Sequence, residues 1–508
     1  MDTLSQAWPL LGVSVLAGWL YIVYLYFFHP LSHYPGPFLA KFTDYWRYRD
    51  VRGRRSHETM IALHERYGPV VRTGPNTLSI GDPAYIPKIY GPGHGFLKSA
   101  FYHPLQAWVG STIGYNLFTT RDAHFHSAIK HPVASAYGFQ SALELEPVVS
   151  DCITTFVRRL GEDIVDANGK EKKACDLASW MQFYAFDVIA IMTWGKAFGF
   201  LDRGEDVNHM IQRLDARLDT IASMSQMPWI DWLKNKNQLV SLFKDKTNAF
   251  ARLAASLIQD RQACIKTEGV KPGPRLFIDR FLDAQRAYPK IIDDRAVIIC
   301  TTSNVVAGSD TVAIALRTIM YMVLRHPLIQ ARLLTEIDAA SLSFPVTWTE
   351  SQQLPYLDAV IQESLRIHPP VGMVLERVVP AEGLTMLDGK RIPAGVQVGV
   401  HPWAVHLLDS VWGPEPKEFR PERWLQGPTE TVKEHQARVA TMKRTSLAFR
   451  AGSRQCMGKH LSTVQIAKLI PSLFMKYRFE LVEENRDWNV VCSWFVRQAD
   501  IDVHIKRR

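Results

Sequence analysis

The sequence predicts a mainly α-helical chain with small β-sheets, placed behind one N-terminal transmembrane helix. Three observations carry this prediction. Trp8–Phe28 is 21 residues without a charged side chain. The rest of the chain is dominated by apolar runs at helical spacing, the longest being Asp293–Arg325. Strand signals are short, with β-branched alternation at Arg72–Ile80 and a hairpin at Val490–Phe495. From Pro37 onward no second linker, internal repeat or low-complexity stretch interrupts the 508 residues. The expected division is an anchor at 1–28 (span 8–28), a proline-rich hinge at 29–37 and a single catalytic domain at 38–508.

A helix needs ~20 apolar residues to span a bilayer. A cleaved signal peptide would start basic and carry a shorter apolar core. This start holds Asp2, and the run ends in Tyr24, Tyr26, Phe27 and Phe28, bulky groups suited to a membrane interface. No Lys or Arg precedes the run, whereas Lys41, Arg47, Arg49, Arg52, Arg54 and Arg55 follow it. The domain is therefore expected on the cytosolic side of a single-pass membrane protein, most naturally in the endoplasmic reticulum. Prolines 30, 35 and 37 stiffen the segment after the span and end the helix.

The net charge is +9 and 47% of residues are hydrophobic, enough for a sizeable core. No Lys/Arg-rich run interleaved with aromatics appears, which argues against nucleic acid as a partner. The six cysteines, at 152, 175, 264, 300, 456 and 492, are scattered without a C-x-x-C pair. That spacing gives neither a disulfide framework nor a zinc site, and it fits a reducing compartment.

Pro83–Tyr90 reads as a short helix. G-P-G-H-G at 91–95 has the wrong glycine spacing for a phosphate loop and reads as a turn. Leu97–Thr120 is aromatic-rich and irregular. Helices are expected within Arg121–Tyr137 and at Val148–Gly161, Leu177–Thr193, Asp206–Met224 and Ser241–Ile265, the last ended by Gly269 and Pro272. In Asp293–Arg325, Asp310 and Thr311 interrupt an otherwise apolar run, and burying them costs free energy unless they are satisfied or used. Ala307 and Gly308 leave one helix face nearly bare. Leu354–His368 is a helix stopped by Pro369-Pro370, and its Glu363 and Arg366 share one face at i,i+3.

The most informative stretch is Leu447–Gly458, L-A-F-R-A-G-S-R-Q-C-M-G. Gly452 permits a turn that a Cβ would block. Arg454 sets a fixed cation beside Cys456, suited to an anionic cofactor edge. Phe449 offers a flat apolar cover, and Gly458 lets the next helix approach a planar group. Backbone N–H groups of the loop would stabilise a thiolate.

This stretch matches F-x-x-G-x-R-x-C-x-G without departure and so resembles the haem loop of the cytochromes P450, the haem-thiolate monooxygenases. E-x-x-R at Glu363–Arg366, P-E-R at 421–423 and A-G-S-D-T at 307–311 stand in the order that family shows. The resemblance covers nearly the whole chain. It implies a triangular prism of helices around a long central oxygen-binding helix, and haem b, iron protoporphyrin IX, ligated by Cys456. Ala307 and Gly308 would face the ring, and Asp310 and Thr311 would relay protons. Glu363, Arg366 and Arg423 would form a structural triad. Arg377 and Arg454 would meet the haem propionates, with His401 a further candidate. His126 and Lys130 stand where many relatives carry W-x-x-x-R, and that replacement leaves a histidine donor and a point charge at the propionate edge. Val371, Gly372 and Met373 would line the substrate pocket.

The implied reaction uses O2 and two electrons to oxidise a hydrophobic small molecule. The chain has no Rossmann or flavin fingerprint, so electrons must come from outside. An NADPH-cytochrome P450 reductase, with cytochrome b5 as a second possible donor, is implied. Lys443, Arg444, Arg450 and Lys459 flank the loop and are expected to form the basic docking face. H-P-L-S-H-Y-P-G-P and the replaced tryptophan resemble fungal secondary-metabolism members, including the pisatin demethylase-like group. Two rival readings are a haem-thiolate isomerase or dehydratase, which needs neither O2 nor a reductase, and a non-catalytic haem or ligand binder. The intact Asp310-Thr311 pair argues against the first.

Overall fold

The computed structural model describes residues 2–109, 112–165, 172–237, 249–268 and 273–508. Helices dominate, and the longest, Asp294–Arg325, runs through the core with Asp293 as its N-cap, accepting from the Ala296 N–H at 2.8 Å. Its most extensive partner is the helix Leu177–Trp194, which is buried along almost its whole length. The helices Pro355–Ile367 and Lys459–Lys476 pack against it as well. By length and hydropathy alone Asp294–Arg325 could cross a bilayer, but 56% of its most apolar window is buried inside the protein. It is a core helix, apolar all round because protein surrounds it.

The sheets are small and peripheral. The largest has five strands in the order Val70–Gly74, Thr77–Ile80, Gln397–Val400, Arg377–Val378, Leu97–Lys98. The single strand expected at Arg72–Ile80 is thus a hairpin, turned at Pro75-Asn76. Alternation alone does not register the turn because Thr77–Ile80 is buried on both faces. The expected C-terminal hairpin is present as Asn489–Cys492 and Val496–Ala499, with Trp494 and Phe495 buried at its tip. The aromatic-rich stretch after Leu97 contains a 3-10 helix, Ala100–Leu105, and a short hairpin, Ala107–Val109 with Thr112–Gly114. The expected helix at Asp206–Met224 begins later, at Met210, because Asn208 and His209 adopt positive φ. The helix expected from Ser241 is described as Ala249–Glu268, and its first residues and its stop at Gly269 and Pro272 lie outside the described residues.

At the N-terminus an α-helix, Asp2–Val23, continues into a π-helical turn, Tyr24–Phe28. Gly12–Phe28 is apolar, and Val13, Leu16, Trp19 and Phe28 are all more than half exposed. The proline-rich segment that follows is pinned rather than loose. The buried Arg72 donates to the carbonyls of Leu25 (3.4 Å), Lys41 (3.3 Å) and Pro75 (2.7 Å), and its own N–H donates to the Pro35 carbonyl at 2.7 Å. A Cβ on Gly36 would lie 2.1 Å from the Arg72 carbonyl oxygen, so only glycine allows this approach.

Candidate active site

The cysteine loop is built by backbone constraint. Gly452 has φ +68°, and a Cβ there would lie 1.7 Å from the Tyr90 carbonyl oxygen. Arg450 is also left-handed, at φ +65°. The Cys456 N–H donates to the Phe449 carbonyl at 2.9 Å, closing the loop. The backbone N–H groups of Gly458 and Lys459, at the start of the helix Lys459–Lys476, point at the Cys456 sulfur. Two measures of this side chain differ: its surface is open, yet enough protein surrounds the sulfur that desolvation pushes the thiol up. Arg450, the two N–H groups and Lys459 oppose that rise. The desolvation is physically meaningful, because a metal-binding sulfur is one open to its ligand but shielded from bulk water. A Cβ on Gly458 would meet no protein atom within 4 Å, so protein packing does not demand glycine there.

The central helix presents Ala307, exposed, and Thr311, half-exposed, one turn apart on one face. The Thr311 hydroxyl donates to the Ala307 carbonyl at 2.7 Å. Gly308 does not bare that face further. A Cβ on it would lie 2.9 Å from Ile189 Cγ1, so its absence brings the helix Leu177–Trp194 close. Asp310 is 1% exposed and accepts from Gln182 Nε2 at 2.6 Å, while its second oxygen has no partner among the described residues. Desolvation, with Asp215 nearby, pushes its carboxyl up to about 7, against the pull of Arg497, Gln182 and Arg317. Residues 116–120 tie helix and loop together. Asn116 Nδ2 donates to Ser303 Oγ at 3.0 Å, and Arg454 donates to the carbonyls of Leu117 (3.3 Å) and Thr120 (3.4 Å).

Four cations converge beside this bridge. Lys98 and Arg377 stand directly opposite each other across an antiparallel pair, 3% and 5% exposed. Lys98 Nζ donates to the Phe118 carbonyl and sits 4.2 Å from the Tyr102 ring centre. Arg377 donates to Tyr102 Oη at 3.2 Å. Arg450 lies 4.2 Å from the Phe118 ring centre, and desolvation with Arg377 beside it holds Arg454 down at about 10. None of the four has a carboxylate within 4.0 Å among the described residues. Like charges directly opposite in a sheet repel, so a buried group of this kind is matched to an anion.

Lys130 reaches the same region, donating to the Ser453 carbonyl at 3.1 Å. His126 is buried among Arg454, Lys130 and Lys98, and desolvation followed by their charges holds it near 3. His401 does not join them. Its backbone N–H donates to the Ile80 carbonyl at the end of two inner strands, and its ring lies 6.3 Å from that of His64. Arg450, expected on the outer docking face, turns inward because its left-handed backbone aims the side chain at Phe118. Lys443, Arg444 and Lys459 are exposed as expected.

Of the three expected lining residues, Met373 packs with Phe101, Trp494 and Phe495, and Val371 pairs with Phe495 in an isolated β-bridge. Gly372 lines a small cavity beside Met373, and a Cβ on it would lie 2.7 Å from both Cys492 Sγ and Val496 Cγ2. Its role is to let the hairpin approach.

Glu363, Arg366 and Arg423 meet as expected. Arg366 grips Glu363 with Nε at 2.8 Å and a terminal nitrogen at 2.7 Å, and Arg423 Nε donates to Glu363 Oε1 at 2.8 Å. The Trp424 indole (2.9 Å) and the Arg420 N–H (3.0 Å) complete the carboxylate. Burial alone would raise Glu363, but these donors and charges hold it below the usual carboxylate range. His406 connects this hub to the cysteine loop, with Nδ1 2.9 Å from the Arg366 carbonyl and Nε2 accepting from the Leu447 N–H at 2.8 Å. Those partners fix the neutral tautomer with the proton on Nδ1.

Residues 34–502 match the cytochrome P450 family. The chain belongs to the cytochrome P450 family. It is 36% identical over 496 residues to the cytochrome P450 monooxygenase cicH of Emericella nidulans, covering 96% of this chain and 97% of that one. The monooxygenase cfoH of Aspergillus candidus is 34% identical, covering 98% and 92%. The monooxygenase asR2 of Sarocladium schorii is 34% identical, covering 94% and 93%. The protein is therefore a haem-thiolate monooxygenase that uses O2 and electrons from a redox partner.

The residues present fit the P450 cofactor on two counts. The sulfur of Cys456 is met by backbone donors suited to a thiolate, and a cluster of four cations, two of them buried, that makes no ion pair among the described residues suits two propionates. Lys98, Arg450 and His406 contribute to this arrangement, and sequence reasoning had not placed them there. Lys98 carried no signal alone, because its register against Arg377 exists only in the folded sheet.

Proposed function

We propose that this P450 is anchored in the endoplasmic reticulum membrane and oxidises a hydrophobic small molecule in fungal secondary metabolism. NADPH-cytochrome P450 reductase would supply the electrons, docking where Lys443, Arg444 and Lys459 are exposed. The observation that carries the reading is Cys456, its sulfur met by two backbone N–H groups at a helix start beside four clustered cations, of which Lys98 and Arg377 are buried. Cys456 would ligate the haem iron. The bound haem supplies oxygen activation, and a thiolate ligand favours O–O cleavage. Arg377 and Arg454 would hold the propionate edge. Phe449, Gly458 and Ala307 would bound the haem ring. Val371 and Met373 bound the pocket.

Oxygen cleavage consumes protons, and Thr311 and Asp310 are placed to provide them. The Thr311 hydroxyl spends its hydrogen on the Ala307 carbonyl, which leaves its oxygen free to accept a bond from water. Asp310 exchanges protons near neutral pH and has one oxygen without a partner. The expected result of Thr311→Ala is a several-fold rise in peroxide released per NADPH consumed, with less product formed. Unchanged coupling, measured as product per NADPH, would remove Thr311 from the relay.

The apolar Gly12–Phe28 helix, exposed from Gly12 to Ile22, supports the anchor. Deleting residues 1–28 is expected to move the protein from the membrane to the soluble fraction in sedimentation. A domain that stays firmly bound would place the anchor elsewhere. The Trp229, Trp232 and Leu233 patch is the surface to substitute next in that case.

A further inference from the structure

We propose that Lys98 and Arg450, rather than His126 and Lys130, supply the charge that holds the propionate edge of the haem in this chain. The proposal rests on the P450 reading of the site. It starts from a departure in the sequence, because the pair at 126 and 130 is histidine and lysine where relatives offer tryptophan and arginine. The structure shows what each does. Lys130 is only partly buried, and its bond to the Ser453 carbonyl is open to water, which screens its charge. His126 lies among Arg454, Lys130 and Lys98, whose charges add to burial in keeping it neutral. Neither is placed to act as a free buried cation.

Lys98 is so placed. It is 3% exposed, and the only partner of its three donors among the described residues is the Phe118 carbonyl. The Tyr102 and Phe118 ring faces, 4.2 and 4.3 Å away, cushion the charge without neutralising it. Its register partner is Arg377, so the strand pairing forces two cations onto one spot. Desolvation and the charges of Arg377, Arg450 and Arg454 push its proton affinity down strongly, the response of an ammonium that lacks its anion. Arg450 reaches the same spot only through a left-handed backbone at a residue other than glycine, a conformation that persists where the surroundings over-determine it. Four cations then face two carboxylates, and the proximal thiolate takes part of the remaining field.

The test uses the full-length, haem-loaded protein. It measures haem transfer to excess apomyoglobin and the midpoint reduction potential for wild type, Lys98→Met, Lys98→Arg, Arg450→Met and a His126→Phe/Lys130→Met double variant. A charge-assisted hydrogen bond lost from a buried site predicts haem release faster by roughly tenfold or more in Lys98→Met and Arg450→Met. Both should also shift the potential negative, because a nearby cation favours the reduced haem. Lys98→Arg should restore both readouts, and the double variant should stay within about threefold of wild type. The proposal is overturned if Lys98→Met releases haem at the wild-type rate. It is equally overturned if Lys98→Met speeds release while leaving the potential unmoved, since that is the mark of packing alone. Should the Lys98 variant not fold, the double variant still decides: rapid haem loss from it returns the role to residues 126 and 130. A wild-type chain that takes up no haem fails the P450 reading itself, which separates the two failures.

Discussion

Replacing Cys456 with serine is expected to remove the thiolate signature from the spectrum of the reduced, CO-bound protein and to abolish NADPH-dependent oxidation. The loop would survive, because Gly452 under Tyr90 and the Cys456 N–H bond to Phe449 involve no sulfur. What changes is the ligand. A serine hydroxyl has too high a pKa to become a soft anionic donor, and the N–H groups of Gly458 and Lys459 would face a neutral oxygen. The loss should be orders of magnitude in turnover with little change in far-UV circular dichroism. A serine variant that keeps the thiolate-type CO spectrum would mean that another of the six cysteines binds the iron.

The second large effect is expected at Glu363, far from the chemistry. Its carboxylate accepts from Arg366, Arg423 and Trp424, all buried, and from the part-buried Arg420 N–H. Glu363→Ala leaves two buried guanidinium groups without their counter-charge, and breaking a buried pair from one side costs about 3–5 kcal/mol. Against a typical stability of about 5–15 kcal/mol this is a large fraction. The expected outcome is loss of soluble haem-loaded protein, or a clear fall in thermal midpoint. The damage should spread to the cysteine loop, because Arg366 holds His406 and His406 holds the Leu447 N–H. Glu58→Gln is the control: its pair with Arg55 is exposed, and exposed pairs contribute about 0–1 kcal/mol. Equal stability of Glu363→Ala and wild type would show that the triad is not a stability hub.

Much of this was legible from the chain. The helix Asp293–Arg325 could be bounded within a residue because its cap, its unbroken apolar run and its length are all local signals. The triad was legible for a related reason. Glu363 and Arg366 lie one helical turn apart, and Arg423 follows within a short motif. Where expectation and structure part, the cause is direction rather than identity. Gly308 is required, but the face it opens admits Ile189 instead of the cofactor, and Gly372 lets the C-terminal hairpin approach beside the cavity it lines. Arg450 is a cation beside the cysteine, yet its backbone turns it inward. His401 extends the pairing of two inner strands.

The sequence by itself determined the cofactor chemistry. A thiolate ligand, its turn glycine and its backbone donors sit within a dozen consecutive residues, so short-range covalent geometry sets them. Only the tertiary structure decided how the charge around that ligand is arranged. Lys98 and Arg377 are 279 positions apart in the numbering and meet through strand register, and Arg450 joins them through one backbone dihedral. Electrostatic fit depends on distances across the fold, and those distances are set by packing between elements rather than by any one of them.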